Sequence, residues 1–242
     1  MREPNAFTAP AASRRNAPGS LIDSAEAYLR EDILTGRLQP GQRLKIKELS
    51  EHLGIGPTPL REALSKLASN GLVHSESHKG FFVPPVSVAE LEDLIEQRIA
   101  LERSILAASI AEGDLEWEAR VEYAFDALTQ AETHKMPDPR RQWLLWENCN
   151  SDFHKALISG ARSKWGPILL DVLYDQTERY RGLKYPNLSY AEQAREDHIK
   201  LKDAALSRDI ESAVALIEIH IGRMREALID ENGKLKMAAV DA

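Results

Sequence analysis

A proline pair, Pro84-Pro85, divides the sequence into two parts with different hydrophobic periodicity. Proline has no backbone N–H and disfavours helical backbone in the residue before it, so we expect no helix to run through this point. Before the pair, short helical patterns alternate with glycine stops, and after it the apolar spacing is helical throughout. The sequence therefore predicts one domain at 20–86 and an all-helical domain at 87–232. It also predicts a disordered tail at 1–19 and a flexible tail at 233–242.

Three short helices are predicted in the first domain. The first covers 20–34, and the second covers 46–53 and stops at Gly54. Proline is tolerated in the first turn of a helix, so the segment Gly56-Pro57-Thr58-Pro59 predicts the start of a third helix, which continues to Asn70. The second and third helices are joined by a tight connection, which indicates a helix-turn-helix.

Two β-prone runs follow the third helix, Leu72-Val73-His74 and Phe81-Phe82-Val83. Polar residues and Gly80 separate them, as in a β-hairpin. A helix-turn-helix followed by a hairpin is typical of a winged helix, whose second paired helix can enter the major groove of DNA. The predicted fold class is mainly α: a winged helix-turn-helix of three helices and a small β-hairpin, then an all-α antiparallel bundle of about six helices.

The bundle begins with a capping box, Ser87 with Glu90, and a second capping box is formed by Ser189 with Glu192. Asp209 is the predicted N-cap of the last helix. Proline-containing stretches at the gaps are expected to be loops. The predicted helices are 87–112, 115–134, 141–160, 164–183, 189–207 and 209–231.

Charge is distributed unevenly between the two parts. Residues 1–86 carry 11 Lys and Arg against 9 Asp and Glu, a net charge of +2, whereas 87–242 carry 20 against 29, a net charge of −9. This asymmetry is compatible with a DNA-binding domain joined to an acidic domain of another function.

The composition also points to a compartment. Cys149 is the only cysteine, so the chain cannot form an internal disulfide, as is typical of a reducing cytoplasm. No apolar run reaches the ~20 residues that a membrane helix needs, and the first 20 residues lack the apolar centre of a secretory signal. We expect a cytoplasmic bacterial protein without a membrane span, associated with the nucleoid when it binds DNA.

Candidate DNA contacts lie at the start of the second helix, along the third helix and at the hairpin tip. Arg61 is the candidate for base recognition, because the N-terminal end of a recognition helix faces base edges. The alternative is that these are ordinary solvated surface charges. The candidates are Lys45, Lys47, Thr58, Arg61, Lys66, His78, Lys79 and Gly80.

The domain contains the segments Leu38-Gln39-Pro40-Gly41, Lys47-Glu48-Leu49-Ser50, Leu53-Gly54-Ile55, Thr58-Pro59-Leu60-Arg61-Glu62-Ala63-Leu64, Leu67, Gly71-Leu72-Val73 and Gly80-Phe81-Phe82-Val83. Taken together, they resemble the winged helix of the GntR family. By this resemblance Lys47 takes the place of a frequent DNA-contacting arginine, and Arg61 matches a second one. The family often has arginine where this chain has Gly56-Pro57, which shifts specificity toward Arg61 and the flanking lysines.

Three helices of the bundle carry a histidine where the apolar stripe should continue: His154, His198 and His220. Asn150 lies one turn before the first of them. A single inward histidine is more often a satisfied core residue than a ligand, but three of them favour convergence on a divalent metal ion. Neutral imidazole suits Zn²⁺ and Ni²⁺, and three protein ligands leave coordination positions open.

The spacing of these residues over 87–231 is similar to the FCD ligand-binding domain of the fatty-acid-responsive branch of GntR regulators. Its metal-binding members use Asp, His, His and His, so the resemblance implies Asn150, His154, His198 and His220 as the metal ligands. Asparagine in place of aspartate is a weaker ligand and removes one negative charge, which favours an anionic effector.

Arg98 interrupts an apolar stripe in the first bundle helix, and a buried guanidinium needs a partner. Two alternatives have equal weight here: an ion pair with a glutamate such as Glu102, or binding of a small carboxylate effector. The family resemblance favours the carboxylate.

The function predicted from these features is a homodimeric, effector-controlled transcription regulator, a repressor that binds a palindromic operator. One alternative is a metal-dependent enzyme, but Asp152 and Glu147 are expected off the inward face and supply no general base. The other is an architectural DNA-binding dimer without an effector, whose histidines belong to the core. The regulator accounts for both domains, and no catalytic activity is expected.

Overall fold

The computed structural model describes three stretches of the chain, with the backbone alone for 189–193. Two compact units share the described residues, and the boundary falls between Val86 and Ser87, directly after the proline pair. The described stretches are 20–134, 136–183 and 189–236.

The first unit consists of three helices and three short strands. In chain order they are α1 (Leu21–Leu34), β1 (Arg43–Leu44), α2 (Ile46–Leu53), α3 (Pro57–Ser69), β2 (His74–Glu76) and β3 (Gly80–Phe82). Gly54 ends α2 in the left-handed conformation with φ +65°, and Pro57 occupies the first turn of α3. The predicted helix-turn-helix with a β wing is confirmed.

The wing is a three-stranded antiparallel sheet in the order β1-β3-β2, so the predicted hairpin has a third strand. Two residues are too few to show an alternating pattern, and β1 was therefore not expected. Strand β2 also begins later than predicted, at His74. Leu72 and Val73 are instead fully buried just after α3, where the Leu72 N–H donates to the Leu67 carbonyl at 3.0 Å.

One hydrophobic core holds the first unit together. Leucines from all three helices are completely buried in it, among them Leu29, Leu49 and Leu60, and Val83 closes it from the strand side. Full burial of one such side chain contributes about 1.5–3 kcal/mol to the free energy of unfolding. Because α1 and α3 share this core, it holds the two helices against each other.

The second unit is an antiparallel bundle in which α4 packs against α6, α7 and α9, and α5 packs against α6 and α8. The bounds agree with the predicted helices to within a few residues, and no described helix is apolar and long enough to span a membrane. The helices are α4 (Val88–Glu112), α5 (Leu115–Thr133), α6 (Pro139–Ile158), α7 (Trp165–Gly182), α8 (Ser189–Leu206) and α9 (Ile210–Leu228).

The last helix ends before the predicted bound, because the chain turns back at Ile229 and pairs with Leu235 in a single β-bridge. The Lys236 N–H also donates to the Leu228 carbonyl at 2.8 Å. The predicted flexible tail thus begins in a hydrogen-bonded turn, and 237–242 lie outside the described residues, as does the predicted disordered tail at 1–19.

At the start of α4, only one of the two hydrogen bonds of the predicted capping box is present. The Ser87 hydroxyl accepts a hydrogen bond from the Glu90 N–H at 3.1 Å. The Glu90 carboxylate does not return to Ser87 but binds the Tyr180 hydroxyl and the Arg179 guanidinium at the end of α7. The Ser87 N–H donates to the Tyr180 hydroxyl at 3.1 Å, so Tyr180 ties the start of α4 to α7.

The two remaining cap predictions have different outcomes. The Asp209 carboxylate accepts a hydrogen bond from the Ser212 N–H at 3.0 Å, as an N-cap does. The predicted capping box of Ser189 with Glu192 depends on side chains outside the described residues.

Candidate functional site

Helices α6, α8 and α9 bring the three predicted histidines together inside the bundle. His154, His198 and His220 are all buried, and one ring nitrogen from each lies within 4.8 Å of the others. The Nε2 atoms of His154 and His220 are 3.2 Å apart. The ring centroid of His198 lies 4.7 Å from that of His220 and 5.6 Å from that of His154. We call these three residues the histidine cluster.

Burial controls the charge of the cluster. Loss of solvation, reinforced by the neighbouring rings, holds the pKa of His154 and His198 well below the usual 6.5. Burial also lowers the pKa of His220, although the Asp197 carboxylate opposes this. All three imidazoles are therefore neutral near pH 7, and each has a lone pair available for a metal ion.

Some ring nitrogens of the cluster lack a hydrogen-bond partner among the residues that the structure describes, as expected for atoms that bind a metal ion. Within the described residues, neither ring nitrogen of His198 has a hydrogen-bond partner, although the side chain is 1% exposed. A buried polar atom without a partner costs about 1–3 kcal/mol. Three converging, neutral imidazoles fit a divalent first-row ion such as Zn²⁺ or Ni²⁺, which would satisfy these atoms.

Asn150 lies on α6 one turn before His154 and is 7% exposed. Its amide therefore belongs to the buried interior of the bundle, on the side of the helix that carries the cluster. Its part as a fourth ligand stays a prediction.

Each of two cluster histidines has a buried carboxylate beside its Nδ1 atom. Glu102 Oε2 is 3.7 Å from the Nδ1 of His154, and Asp197 Oδ2 is 3.5 Å from the Nδ1 of His220. The sequence predicts Glu102 only as a partner of Arg98, and Asp197 is not among the predicted site residues. Its position directly before His198 was the available signal, but adjacent helix residues point in different directions.

Arg98 is buried in the ion pair that was one of its two predicted alternatives. Its Nε donates to Glu102 Oε1 at 2.8 Å, and its Nη1 donates to the Thr177 hydroxyl at 3.1 Å. The guanidinium carbon also lies 4.8 Å from the centre of the Tyr174 ring. The ion pair accounts for the burial of Arg98, and the effector-binding role stays a prediction.

Glu147 lies inside the bundle, contrary to the expectation that it falls off the inward face. It is 1% exposed and accepts two hydrogen bonds from Arg181, at 2.8 and 2.7 Å. A buried carboxylate held in this way is charge-balanced by the arginine. Asp152 is exposed, as expected.

Among the predicted DNA contacts, Thr58 and Arg61 are exposed near the start of α3. Lys47 is exposed on α2, with only a 4.0 Å contact to Glu51. Lys45 precedes α2 and forms an exposed ion pair with Glu48 at 2.9 Å. These side chains are accessible to a phosphate or a base, because an exposed ion pair costs little to exchange.

Lys66 is exposed and its role in DNA binding stays a prediction. Its ammonium forms ion pairs with Asp23 at 3.0 Å and with Glu26 at 3.2 Å, both on α1. These contacts join the later part of α3 to α1, away from the exposed start of the helix.

The predicted wing tip lies in the turn between β2 and β3. His78 is exposed with φ +64°, and Gly80 has φ +99°, a backbone that favours glycine. Lys79 is exposed and forms an ion pair with Glu76 at 2.8 Å. Arg43, which the sequence analysis missed, is exposed on β1 beside the wing, with its guanidinium carbon 6.0 Å from the Phe82 ring centre.

Comparison with known families defines the class of protein. Residues 21–83 match the family described as "Bacterial regulatory proteins, gntR family", and residues 93–223 match the FCD domain. The chain is therefore a transcription regulator with a DNA-binding winged helix and an FCD domain, and FCD domains often bind metal. It belongs to the GntR family.

Relatives support this assignment across most of the chain. The transcriptional regulator BphR of Paraburkholderia xenovorans (strain LB400) is 42% identical over 202 residues, which cover 84% of this chain and 82% of BphR. The transcriptional repressor GlaR of Escherichia coli (strain K12) is 31% identical over 210 residues, covering 83% and 93%. The solved structure titled "E. coli McbR/YncC" has the same fold, with a TM-score of 0.71, 23% identity and coverage of 86% and 97%.

Proposed function

We propose that the protein is a homodimeric repressor that leaves its operator when a small carboxylate binds at the histidine cluster. The observation that carries this proposal is the convergence of three buried, neutral histidines in the domain that accompanies the DNA-binding unit. A relative of 31% identity is a repressor by name, which supports repression rather than activation.

The exposed start of α3 is the surface proposed to contact base edges. Arg61 would donate to guanine, as arginine commonly does in the major groove, and Thr58 would contact a phosphate or an adjacent base. Lys45, Lys47 and the wing tip at 78–80 would hold the phosphate backbone, which supplies affinity without sequence preference. The ion pairs of Lys66 with α1 give it a smaller part.

Dimerisation follows from the small size of this surface. One recognition helix offers few base contacts, whereas two helices related by a two-fold axis match a palindromic operator. GntR regulators usually act as dimers. The proposed partners are therefore double-stranded DNA and a second copy of the chain.

The histidine cluster, with Asn150 as a fourth ligand, would hold Zn²⁺ or Ni²⁺. The bound ion would supply positive charge and Lewis acidity toward an anionic effector. Arg98 would bind the second oxygen of the effector's carboxylate, or a polar group at the other end of the effector. Its contacts in the described part of the chain use Nε and Nη1, so its Nη2 donors can bind a carboxylate without loss of the Glu102 ion pair.

Control of DNA binding requires two arrangements of the dimer with different affinities for the effector. The carboxylate shifts the population toward the arrangement that does not fit the operator. The largest possible shift in this equilibrium equals the ratio of the effector's affinities for the two arrangements. A hundredfold loss of operator affinity corresponds to about 2.7 kcal/mol of coupling.

The structure favours a regulator over a metal-dependent enzyme at the same cluster. Both carboxylate oxygens of Glu147 accept hydrogen bonds from Arg181, and Asp152 is exposed, so neither is suited as a general base beside the cluster. The relative GlaR is named as a transcriptional repressor. An architectural DNA-binding dimer would leave the unpartnered nitrogens of His198 unexplained.

The decisive experiment combines metal content with effector-dependent DNA binding. Purified protein is analysed for metals by mass spectrometry, and a panel of small mono- and dicarboxylates is screened by thermal shift. Acids that stabilise the protein are then titrated against a fluorescent duplex selected from random sequences, at fixed salt. We expect about one metal ion per chain and at least a tenfold loss of DNA affinity with one acid. His198→Ala should abolish both, and DNA release by an acid in the absence of metal would refute the proposal.

A further inference from the structure

Two carboxylate–arginine pairs flank the histidine cluster in the same arrangement. Glu102 lies between Arg98 and the Nδ1 of His154, at 2.8 and 3.7 Å. Asp197 lies between Arg223 and the Nδ1 of His220, at 2.7 and 3.5 Å. Both carboxylates are almost completely buried, with 1% and 4% of the residue exposed. Arg98 and Glu102 lie one turn apart on α4, whereas Asp197 lies on α8 and Arg223 on α9, so the same arrangement is built from different elements.

The first consequence concerns the orientation of the two imidazole rings. A carboxylate beside Nδ1 favours the tautomer that carries its proton on Nδ1, and this leaves the lone pair on Nε2. The Nε2 atoms of His154 and His220 face each other at 3.2 Å. This is the distance of a hydrogen bond if one of the two Nε2 atoms carries a proton, and a bound cation would take the place of that proton. The outer carboxylates therefore direct both rings toward one shared position.

The second consequence concerns charge. Three imidazoles and the Asn150 amide are neutral, so a divalent ion would keep its full charge in a buried place, which is unfavourable. Arg223 donates to both oxygens of Asp197, from Nε at 2.7 Å and from Nη2 at 3.4 Å, and the Nε of Arg98 donates to Glu102 at 2.8 Å. Both carboxylates are therefore held as ion pairs next to the cluster.

We propose that Glu102 and Asp197 are positioning residues of the metal centre: they fix His154 and His220 as Nε2 ligands and supply the negative charge that Asn150 does not. This inference rests on the metal centre of the proposed function. The Asp197 pair is the better one to test, because Arg223 is 43% exposed and Arg98 is 5% exposed. Removal of Glu102 would leave a deeply buried, unpaired guanidinium, which is strongly destabilising.

The test compares Asp197→Asn with wild-type protein in the full chain. Protein stripped with a chelator is titrated with Zn²⁺ and with Ni²⁺ against a competing metal indicator. We expect the Kd for the metal to rise roughly 10–100-fold, as is usual when an outer carboxylate of a histidine ligand is lost. Glu218→Gln is the matched control, because Glu218 on α9 forms an exposed ion pair with Arg103 at 2.9 Å, and its Kd should stay within twofold of wild type.

A second measurement separates this role from a general loss of structure. Nitrogen-15 NMR of the histidine side chains reports which ring nitrogen is protonated in the metal-free protein. We expect His220 to be protonated at Nδ1 in wild type and to become a mixture in Asp197→Asn, with His198 unchanged. If Asp197→Asn does not fold, the double variant with Arg223→Gln carries the same expectations, because it leaves no unpaired charge.

The proposed charge balance also predicts the direction in which a second substitution changes the metal affinity. Asn150→Asp should recover most of the metal affinity lost in Asp197→Asn, and it should raise the affinity of wild type by a smaller factor. An unchanged Kd together with an unchanged His220 tautomer in Asp197→Asn would overturn the inference. Absence of metal binding in wild type would refute the metal centre of the proposed function instead, while the NMR measurement would still decide the tautomer.

Discussion

Tyr180 offers a quantitative test of how the start of α4 is held. Its hydroxyl accepts a hydrogen bond from the Ser87 N–H at 3.1 Å and binds the Glu90 carboxylate. Tyr180→Phe removes both interactions and keeps the buried ring. An ordinary hydrogen bond contributes about 0.5–1.5 kcal/mol, and one to a charged group about 1.5–3 kcal/mol. Ser87 is exposed and Glu90 is partly exposed, so water replaces part of the loss. We expect a net destabilisation of about 2 kcal/mol.

The assay can be confined to the helical bundle. All four tryptophans of the chain, at positions 117, 143, 146 and 165, lie in the second unit, so tryptophan fluorescence during urea unfolding follows this unit. A loss of ~2 kcal/mol corresponds to a fall in Tm of roughly 4–8 °C for a domain of this size. The control is Tyr123→Phe, at a tyrosine that is 79% exposed, for which we expect a change below ~0.5 kcal/mol. Equal stability of the two variants would refute the role of the Tyr180 hydroxyl.

Three further predictions concern DNA, effector and pH. Arg61→Ala should weaken operator binding by about 1–3 kcal/mol and leave non-specific binding nearly unchanged, whereas Lys47→Ala should weaken both. Fluorescence anisotropy titrations with operator and random duplexes measure this difference, and equal behaviour of the two variants would contradict the prediction. Arg98→Lys keeps a positive charge beside Glu102 but lacks the guanidinium Nη2 donors, so it should weaken acid-induced release at least tenfold while operator binding without effector stays within threefold; a full response to the acid would exclude Arg98 from the effector site. In metal-free protein, the cluster histidines have lowered pKa values in the folded state, so the unfolded chain binds more protons below pH 6.5 and stability should fall as the pH drops from 7 to 5. The urea midpoint checks this, and His198→Leu should show a shallower decline; identical slopes would argue against the cluster as the cause.

The helices could be predicted because their signals are local. Gly54, the proline at 57 and the apolar spacing of the bundle each act over one or two turns, and the structure follows them closely. The strand β1 was missed because two residues carry no period. The Glu90 side chain departed from its capping box because Tyr180, distant in sequence, offers a partner that no local pattern reveals.

The histidine cluster could be anticipated for a different reason. Polar residues that interrupt an apolar stripe point inward, and buried polar groups need a bonding partner. Three such histidines inside one small bundle are therefore expected to meet. The outer carboxylates could not be anticipated in the same way. A charged residue on a helix is exposed in most proteins, so neither Asp197 nor Glu147 signals its burial until the arginine partners are known.

The two carboxylate–arginine pairs also constrain how this sequence can change. Loss of either arginine leaves a buried carboxylate without its counterpart, and loss of Glu102 leaves a buried guanidinium, so replacements at these three positions should be accompanied by replacement of the partner. An aspartate at position 150 would relax that constraint, because the centre would then carry its own negative charge. Homologous sequences should therefore show correlated substitution between position 150 and positions 102 and 197, and the first change along such a path should be the gain of the inner carboxylate.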